Sequence, residues 1–322
     1  AMRMLGGQFV LGQDIEEAMQ KALPLRNRGY RMSYDMLGEG ARCAADAQHY
    51  YEAYASAIEY IGQRADKKLV RRPGVSVKLS ALHPRYEFAQ SEICVPEMAA
   101  RLLALAQKAA SYDLAMTVDA EECARLNLSI EIIERVLGDV SLKDWDGFGL
   151  AVQAYHKAAP AVIDHVAEMA KARTQRIQMR LVKGAYWDSE IKKAQVAGLC
   201  DFPVYTRKSH SDTSYLVCAH KMFDYVDTLY PMFGTHNAYS VAAIMDMAHN
   251  VGAGAFEFQR LFGMGGALFD QLLDRGAVAS IYAPVGPHKD LLPYLVRRLL
   301  ENGANSSFVN RVLDPDASVE SL

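Results

Sequence analysis

Residues 74–82 read GVSVKLSAL, a short β-branched and apolar run that opens on a proline–glycine step and carries Lys78 in its middle. Runs of this length and make-up are strand signals, and no earlier stretch of the chain reads as one. Upstream, QDIEEAMQKALPLRNRGY (13–30) has an amphipathic helical pattern interrupted near Pro24, and residues 40–69 are rich in helix formers. Residues 1–69 are therefore expected to form an N-terminal helical arm.

Working downstream, comparable runs recur at AMTVDA (115–120), FGLAVQAY (148–155), IQMRLVKG (177–184), FPVYTR (202–207), MFGTHN (232–237), AFEFQRL (255–261) and ASIYAPVG (279–286), eight in all with the first. Most gaps hold helical patterns, such as PEMAARLLALAQKAASY and HSDTSYLVCAHKMFDYV. Eight strand–helix units in series predict an α/β fold, a distorted (β/α)8 TIM-like barrel, over residues 70–311. A doubly wound sheet is the competitor, because strand order is not written in sequence. The count of eight and the polar residue at nearly every strand end favour the barrel. Residues 312–322 read as a tail, and both ends look cut, as expected of a domain excised from a longer protein.

Composition narrows the function. With 322 residues, 51% hydrophobic, 23% charged and a net charge of −3, the chain has the balance of a compact domain and no polybasic field for nucleic acid. Its five cysteines are scattered without a CxxC pair, which argues against a disulfide framework or a zinc cluster and for a reducing compartment. No signal segment opens the chain and no run is long enough to cross a bilayer. GMGGAL (263–268) holds only part of a dinucleotide fingerprint, and the histidines lack metal-ligand spacing.

In a barrel the carboxyl ends of the strands form the active face. The polar groups there are Lys78, Asp119, Gln153, Arg180 with Lys183, Arg207 with Lys208, and His236 with Asn237, then Glu257, Gln259 and Tyr282. A lysine within a strand is rarely buried unpaired, so Lys78 lies on an exposed strand or faces a functional cavity. Asp119 either caps the following helix, serves a site, or does both. Gly184 allows a close backbone approach or eases a turn, and Trp187 is a stacking surface or packing. Near the other end, YLVRRLLENGAN (294–305) places Tyr294, Arg297, Arg298 and Glu301 on one helical face. That face is either solvated or closes over the barrel mouth, where two guanidiniums would grip a small carboxylate.

SVKLSALHPRY, TVDAEE, QAY, RLVKGAYWD, FEFQRLFGMG and YAPVG…YLVRRLLENGAN together resemble the proline dehydrogenase family, and within it the domain found in bacterial bifunctional proline-utilisation flavoproteins. The resemblance runs from the first residues to about Arg311. It implies noncovalent FAD and a final barrel helix above the active site. By the same resemblance Lys78, Arg297 and Arg298 hold the proline carboxylate, while Leu261, Tyr282 and Tyr294 shape the ring pocket. Glu301 pairs with the arginines and Asp119 joins the active-site network. Gln153 and Arg180 lie by the flavin ring, Lys183, Gly184, Trp187, His236 and Asn237 belong to the wider FAD site, and Arg207 and Lys208 approach its phosphates. It further implies oxidation of L-proline to 1-pyrroline-5-carboxylate and electron transfer to ubiquinone at a membrane surface from a cytoplasmic protein, with an aldehyde dehydrogenase domain downstream. Another flavin-dependent oxidoreductase of a small amino or imino acid, or a noncatalytic binding barrel, are the alternatives.

Overall fold

The structure, a computed structural model, describes residues 9–65, 72–252, 254–287 and 294. Eight parallel strands close into one barrel in sequence order. They are β1 (Arg31–Met36), β2 (Gly74–Val77), β3 (Ala115–Val118), β4 (Phe148–Gln153), β5 (Ile177–Val182), β6 (Leu229–Gly234), β7 (Glu257–Leu261) and β8 (Ala279–Val285). Closure is made by β1, which pairs with β2 on one side and with β8 on the other, from Arg31↔Ser280 to Met36↔Val285.

The barrel departs from the expected strands at two places. The first barrel strand, β1, lies inside the segment 1–69 that was read as wholly helical. RMSYDM alternates polar and apolar residues, but its Met, Ser and Asp are weak strand formers, so pairing on both sides rather than local propensity makes it a strand. Conversely, FPVYTR (202–207) has strand-like residues but forms only one antiparallel bridge, His156↔Val204. Lys157 N–H donates to the Pro203 carbonyl and Tyr205 N–H to the Tyr155 carbonyl, so this run lies against the loop after β4 and outside the barrel. One missed strand and one false strand left the count at eight.

Helices cover the outside of the barrel. Those described are α1 (Ile15–Asn27), α2 (Ala44–Arg64), α3 (Ser91–Ser111), α4 (Leu126–Leu137), α5 (Ala159–Lys171), α6 (Trp187–Val196), α7 (Lys208–Asp224), α8 (Ala238–Met247) and α9 (Gly266–Asp274). Asp14 caps α1 by accepting the Glu17 N–H. In α3 the buried residues Val95, Met98, Leu102, Leu105, Ala106 and Ala109 recur at three- and four-residue spacing and form one inward stripe. The stripe meets the outward residues of the strands, among them Val75, Val77, Met116 and Val118, which are all fully or almost fully buried. Next to β6 and β7, Phe223, Phe233, Phe256 and Phe258 pack as tilted and edge-on pairs with centroids 5.3–6.1 Å apart.

The inward residues are mostly polar, and alternation along each strand sorts the two faces. In β1 Met32 and Tyr34 join the outer apolar core, while Ser33 and Asp35 turn to the lumen and contact Ser76 of β2 and Lys78 just after it. At the amino-terminal end Glu257 pairs with Arg31 at 2.7 Å and accepts the Ser280 hydroxyl at 2.7 Å, closing the floor with charge. The helix expected over the active site, with Arg297, Arg298 and Glu301, and the tail 312–322 lie outside the described residues. Tyr294 is described: it is buried in a small cluster with Phe9 and Val10, against Leu37, Met264 and Tyr282.

The place of β1 in the barrel has a measurable consequence. Met32, 2% exposed, packs in the main core, so Met32→Ala should cost about 2–5 kcal/mol in urea unfolding. A loss below about 1 kcal/mol would place residue 32 on a loosely held arm instead.

Candidate active site

At the carboxyl end of the barrel the inward positions of five strands meet. Asp35 comes from β1, Lys78 directly after β2, Asp119 directly after β3, Arg180 from β5 and Tyr282 from β8. Lys78 is not mid-strand as its sequence context predicts: β2 stops at Val77 and Lys78 opens a short 3-10 turn, Leu79–Ala81. Its backbone N–H donates to the Tyr54 hydroxyl from α2 at 3.1 Å, which fixes the lysine at the rim.

Lys78 is 5% exposed, so its ammonium needs compensation. Nζ lies 2.5 Å from Asp35 Oδ1, 3.2 Å from Asp119 Oδ2 and 3.2 Å from the Tyr282 hydroxyl. Asp119 is bound from three sides, because the Tyr282 hydroxyl also donates to Oδ2 at 2.7 Å and Arg180 Nη1 donates to Oδ1 at 2.7 Å. Arg180 Nη2 continues to the hydroxyls of Ser33 and Ser76, at 3.2 and 3.1 Å. Two cations and two carboxylates thus balance within one buried network.

The carboxylates do not respond alike. Burial raises Asp119, but the charges of Lys78 and Arg180 outweigh it and hold the carboxyl below its ordinary range. Burial also raises Asp35, and there it wins, because Lys78 is opposed by the negative charge of Asp119. For Lys78, burial disfavours the ammonium, yet Asp35, Tyr282 and Asp119 more than restore it. Burial pushes the Tyr282 hydroxyl well up, with Asp119 adding to the effect. Through their shared neighbour Lys78 the charge states of the two carboxyls depend on one another.

A second polar link joins the ends of β3, β4 and β5. Gln153 Nε2 donates to the Glu121 carbonyl at 2.8 Å and Gln153 Oε1 accepts the Ala185 N–H at 3.2 Å. The Glu121 side chain accepts the Ser80 N–H at 2.9 Å, which ties the loop after β3 to the turn carrying Lys78. Burial pushes Glu121 up to about 7, against the hydrogen bonds from Ser80 that lower it.

Around this centre lie the remaining expected residues. Lys183 and Lys208 both bind Asp212, the latter at 3.0 Å, so three charged side chains converge beside the exposed Arg207 at the start of α7. No side chain caps the first N–H groups of α7. Gly184 has φ +132°, and a Cβ there would stand 2.4 Å from the Tyr155 ring, so only glycine fits. Trp187 is 37% exposed and its indole N–H donates to the Tyr205 carbonyl at 2.8 Å. His236 Nε2 accepts the Leu261 N–H at 3.0 Å, and Asn237 Oδ1 caps α8 through the Ser240 N–H at 3.0 Å. Those contacts give His236, Asn237 and Leu261 a structural role that motif reading did not separate from ligand binding.

Sequence reasoning missed Asp35, Ser33 and Ser76, whose signal was the alternation of RMSYDM and of GVSV once both are inward-facing strands. Glu121 lies within TVDAEE, where its spacing alone does not distinguish it from a surface carboxylate. Among the described residues no cluster of His, Cys, Asp and Glu could hold a metal ion.

A closed parallel barrel whose carboxyl rim gathers buried, oppositely charged groups defines a (β/α)8 barrel of the enzyme type. Residues 18–311 match the family profile described as proline dehydrogenase, and the chain belongs to that family. It is 48% identical to the bifunctional protein PutA of Klebsiella aerogenes over 330 residues, which is 100% of this chain and 25% of that protein. Thus the chain spans about a quarter of the length of the curated bifunctional relatives it matches. It is also 27% identical to the proline dehydrogenase of Deinococcus radiodurans, over 95% of this chain and 88% of that protein. Among solved structures, a mutant of Bradyrhizobium japonicum proline utilization A superposes with a TM-score of 0.89 at 53% identity, covering 99% of this chain and 33% of that one.

Glu121 supplies a pH test. Its carboxyl is raised from 4.5 to about 7 in the folded protein, so the fold holds a proton there that the unfolded chain releases. Stability should therefore fall as pH rises across that window. Glu121→Gln should remove this decline, gaining on the order of 2–3 kcal/mol relative to the parent between the two ends in urea unfolding. An unchanged pH slope would mean that the carboxyl is solvated.

Proposed function

We infer that the chain oxidises L-proline to 1-pyrroline-5-carboxylate with FAD. The observation that carries this reading is the buried Lys78–Asp119–Arg180–Tyr282 network on the carboxyl rim of a barrel of this family. The Lys78 ammonium is the described cation suited to anchor a small carboxylate, and the Tyr282 ring beside it, with Leu261 and Tyr294, walls a five-membered ring. Arg297 and Arg298, paired by Glu301, complete the carboxylate clamp in this reading.

The residues present fit a flavin dinucleotide. Arg180 Nε and the Tyr155 hydroxyl are buried and have no hydrogen-bond partner among the described residues. Arg207, Lys208, Lys183 and the uncapped start of α7 form a donor set suited to phosphates. Gln153, Arg180, Gly184, Trp187, His236 and Asn237 would line the rest of the cofactor's path. When bound, FAD supplies the acceptor for the hydride that leaves the ring carbon next to nitrogen. The protein's own work is to anchor the carboxylate, orient that carbon, keep charge balanced around it and exclude water.

Onward transfer of the electrons to ubiquinone, with transient contact at a membrane surface from the cytoplasm, belongs to the same reading, as does a downstream aldehyde dehydrogenase domain in the parent protein. Among the described residues no helix is long and apolar enough to cross a membrane, which is compatible with docking from one side.

Anaerobic L-proline should bleach the flavin band of FAD-loaded protein, and a soluble quinone should restore it; an unbleached band defeats the assignment. Replacing Arg297 or Arg298 with Met should weaken proline use by roughly 10- to 100-fold, the worth of a charged hydrogen bond, with FAD content retained. Unchanged turnover and affinity in both variants would defeat the clamp.

A further inference from the structure

Asp35 is fully buried at the end of β1, and nothing in the motifs of the chain brought it forward. Oδ1 faces Lys78 at 2.5 Å, while Oδ2 is buried with no hydrogen-bond partner among the described residues. The groups around it are Lys78 just after β2, Asp119 just after β3, Tyr282 from β8 and Tyr54 from α2. Arg180 from β5 spends its guanidinium on Asp119, Ser33 and Ser76. Of the two buried carboxylates, Asp119 therefore has two cations and a hydroxyl, whereas Asp35 depends on Lys78 alone for its positive neighbour.

That asymmetry decides what happens when a third carboxylate arrives. An incoming anion that shares Lys78 would leave Asp35 with a weakened counter-charge in a site already closed to water, and an unpaired buried carboxylate is costly enough to protonate instead. We propose that Asp35 takes up a proton as a substrate carboxylate engages Lys78, the proton residing on Oδ2. The inference rests on the reading of Lys78 as the carboxylate anchor. For an amino-acid substrate the proton is the one its ammonium must lose: an N–H bond breaks, an O–H bond forms on Asp35, and the electron pair stays on nitrogen, ready to support hydride departure from the neighbouring carbon. The opposite displacement of the two carboxyls, Asp35 upward and Asp119 downward, is the pattern that separates a proton acceptor from a fixed anion. Asp35 acts through Lys78 and so is a positioning and proton-holding group.

The test uses a ligand that brings the ring and the carboxylate but no amine. FAD-loaded protein is titrated calorimetrically with cyclopentanecarboxylate near neutral pH in two buffers of different ionisation enthalpy. About one proton should be taken up per ligand bound, and affinity should fall roughly tenfold per pH unit as pH rises. In Asp35→Asn the uptake should vanish and the affinity become flat with pH, a change that a purely structural role would not produce. Binding to the unmodified protein without proton uptake overturns the proposal and leaves the proline assignment standing, as does uptake that persists in Asp35→Asn. Absence of any carboxylate binding would remove Lys78 as anchor and with it both readings. The measurement on the unmodified protein holds however well the variant folds.

Discussion

Everything at the carboxyl rim depends on the burial of one ammonium. Lys78 sits inside a closed barrel, where a lone cation would lose its hydration without replacement. Asp35 and Asp119 make that position tolerable, the first from β1 and the second from just beyond β3, on either side of β2. The second carboxylate then requires its own partners, which Arg180 and Tyr282 provide from farther around the barrel. Each charge thus obliges the next, and the chain of obligations crosses the lumen. Such a network is weak as a source of stability, because desolvation offsets attraction, but it is strict about geometry.

Stability comes instead from the other side of the same strands. Val75 and Val77 flank Ser76, Met116 and Val118 flank Thr117, and Leu150 and Val152 flank Ala151; the flanking residues pack under the helices. Burying one such side chain contributes about 1.5–3 kcal/mol, so the outer shell can carry the cost of a polar lumen. The barrel separates the two tasks by pleat alone. At the opposite end the Arg31–Glu257 pair fills the floor, which directs access toward the rim where the ionisable groups stand.

The fold was legible where pattern and propensity agree. GVSV, AMTV and IQMRLV are short, apolar and bounded by turns, and they became strands. RMSYDM failed that reading because its strand character exists only when β2 and β8 are present to pair with it, and FPVYTR failed in reverse because β-prone residues without neighbours in register remain a loop. The site was legible to the same degree. Lys78, Asp119, Arg180 and Tyr282 announced themselves as polar residues at strand ends and do converge. Asp35 was invisible as long as its strand was, since an aspartate in a presumed helical arm is an ordinary surface residue. His236 and Asn237 were legible as polar residues, but their bonds to Leu261 and Ser240 depend on loop geometry that spacing does not encode.

The two tryptophans of the chain stand in contrasting surroundings. Trp145 is enclosed, with its indole N–H held by the Leu114 carbonyl, while Trp187 lies half open at the head of α6 beside the loop that carries Tyr205. Their emission should therefore separate by solvent polarity, the enclosed indole bluer and the open one redder. Trp187 thereby becomes a built-in optical gauge of whatever settles on its side of the barrel, with Trp145 as an internal standard deep enough to ignore it.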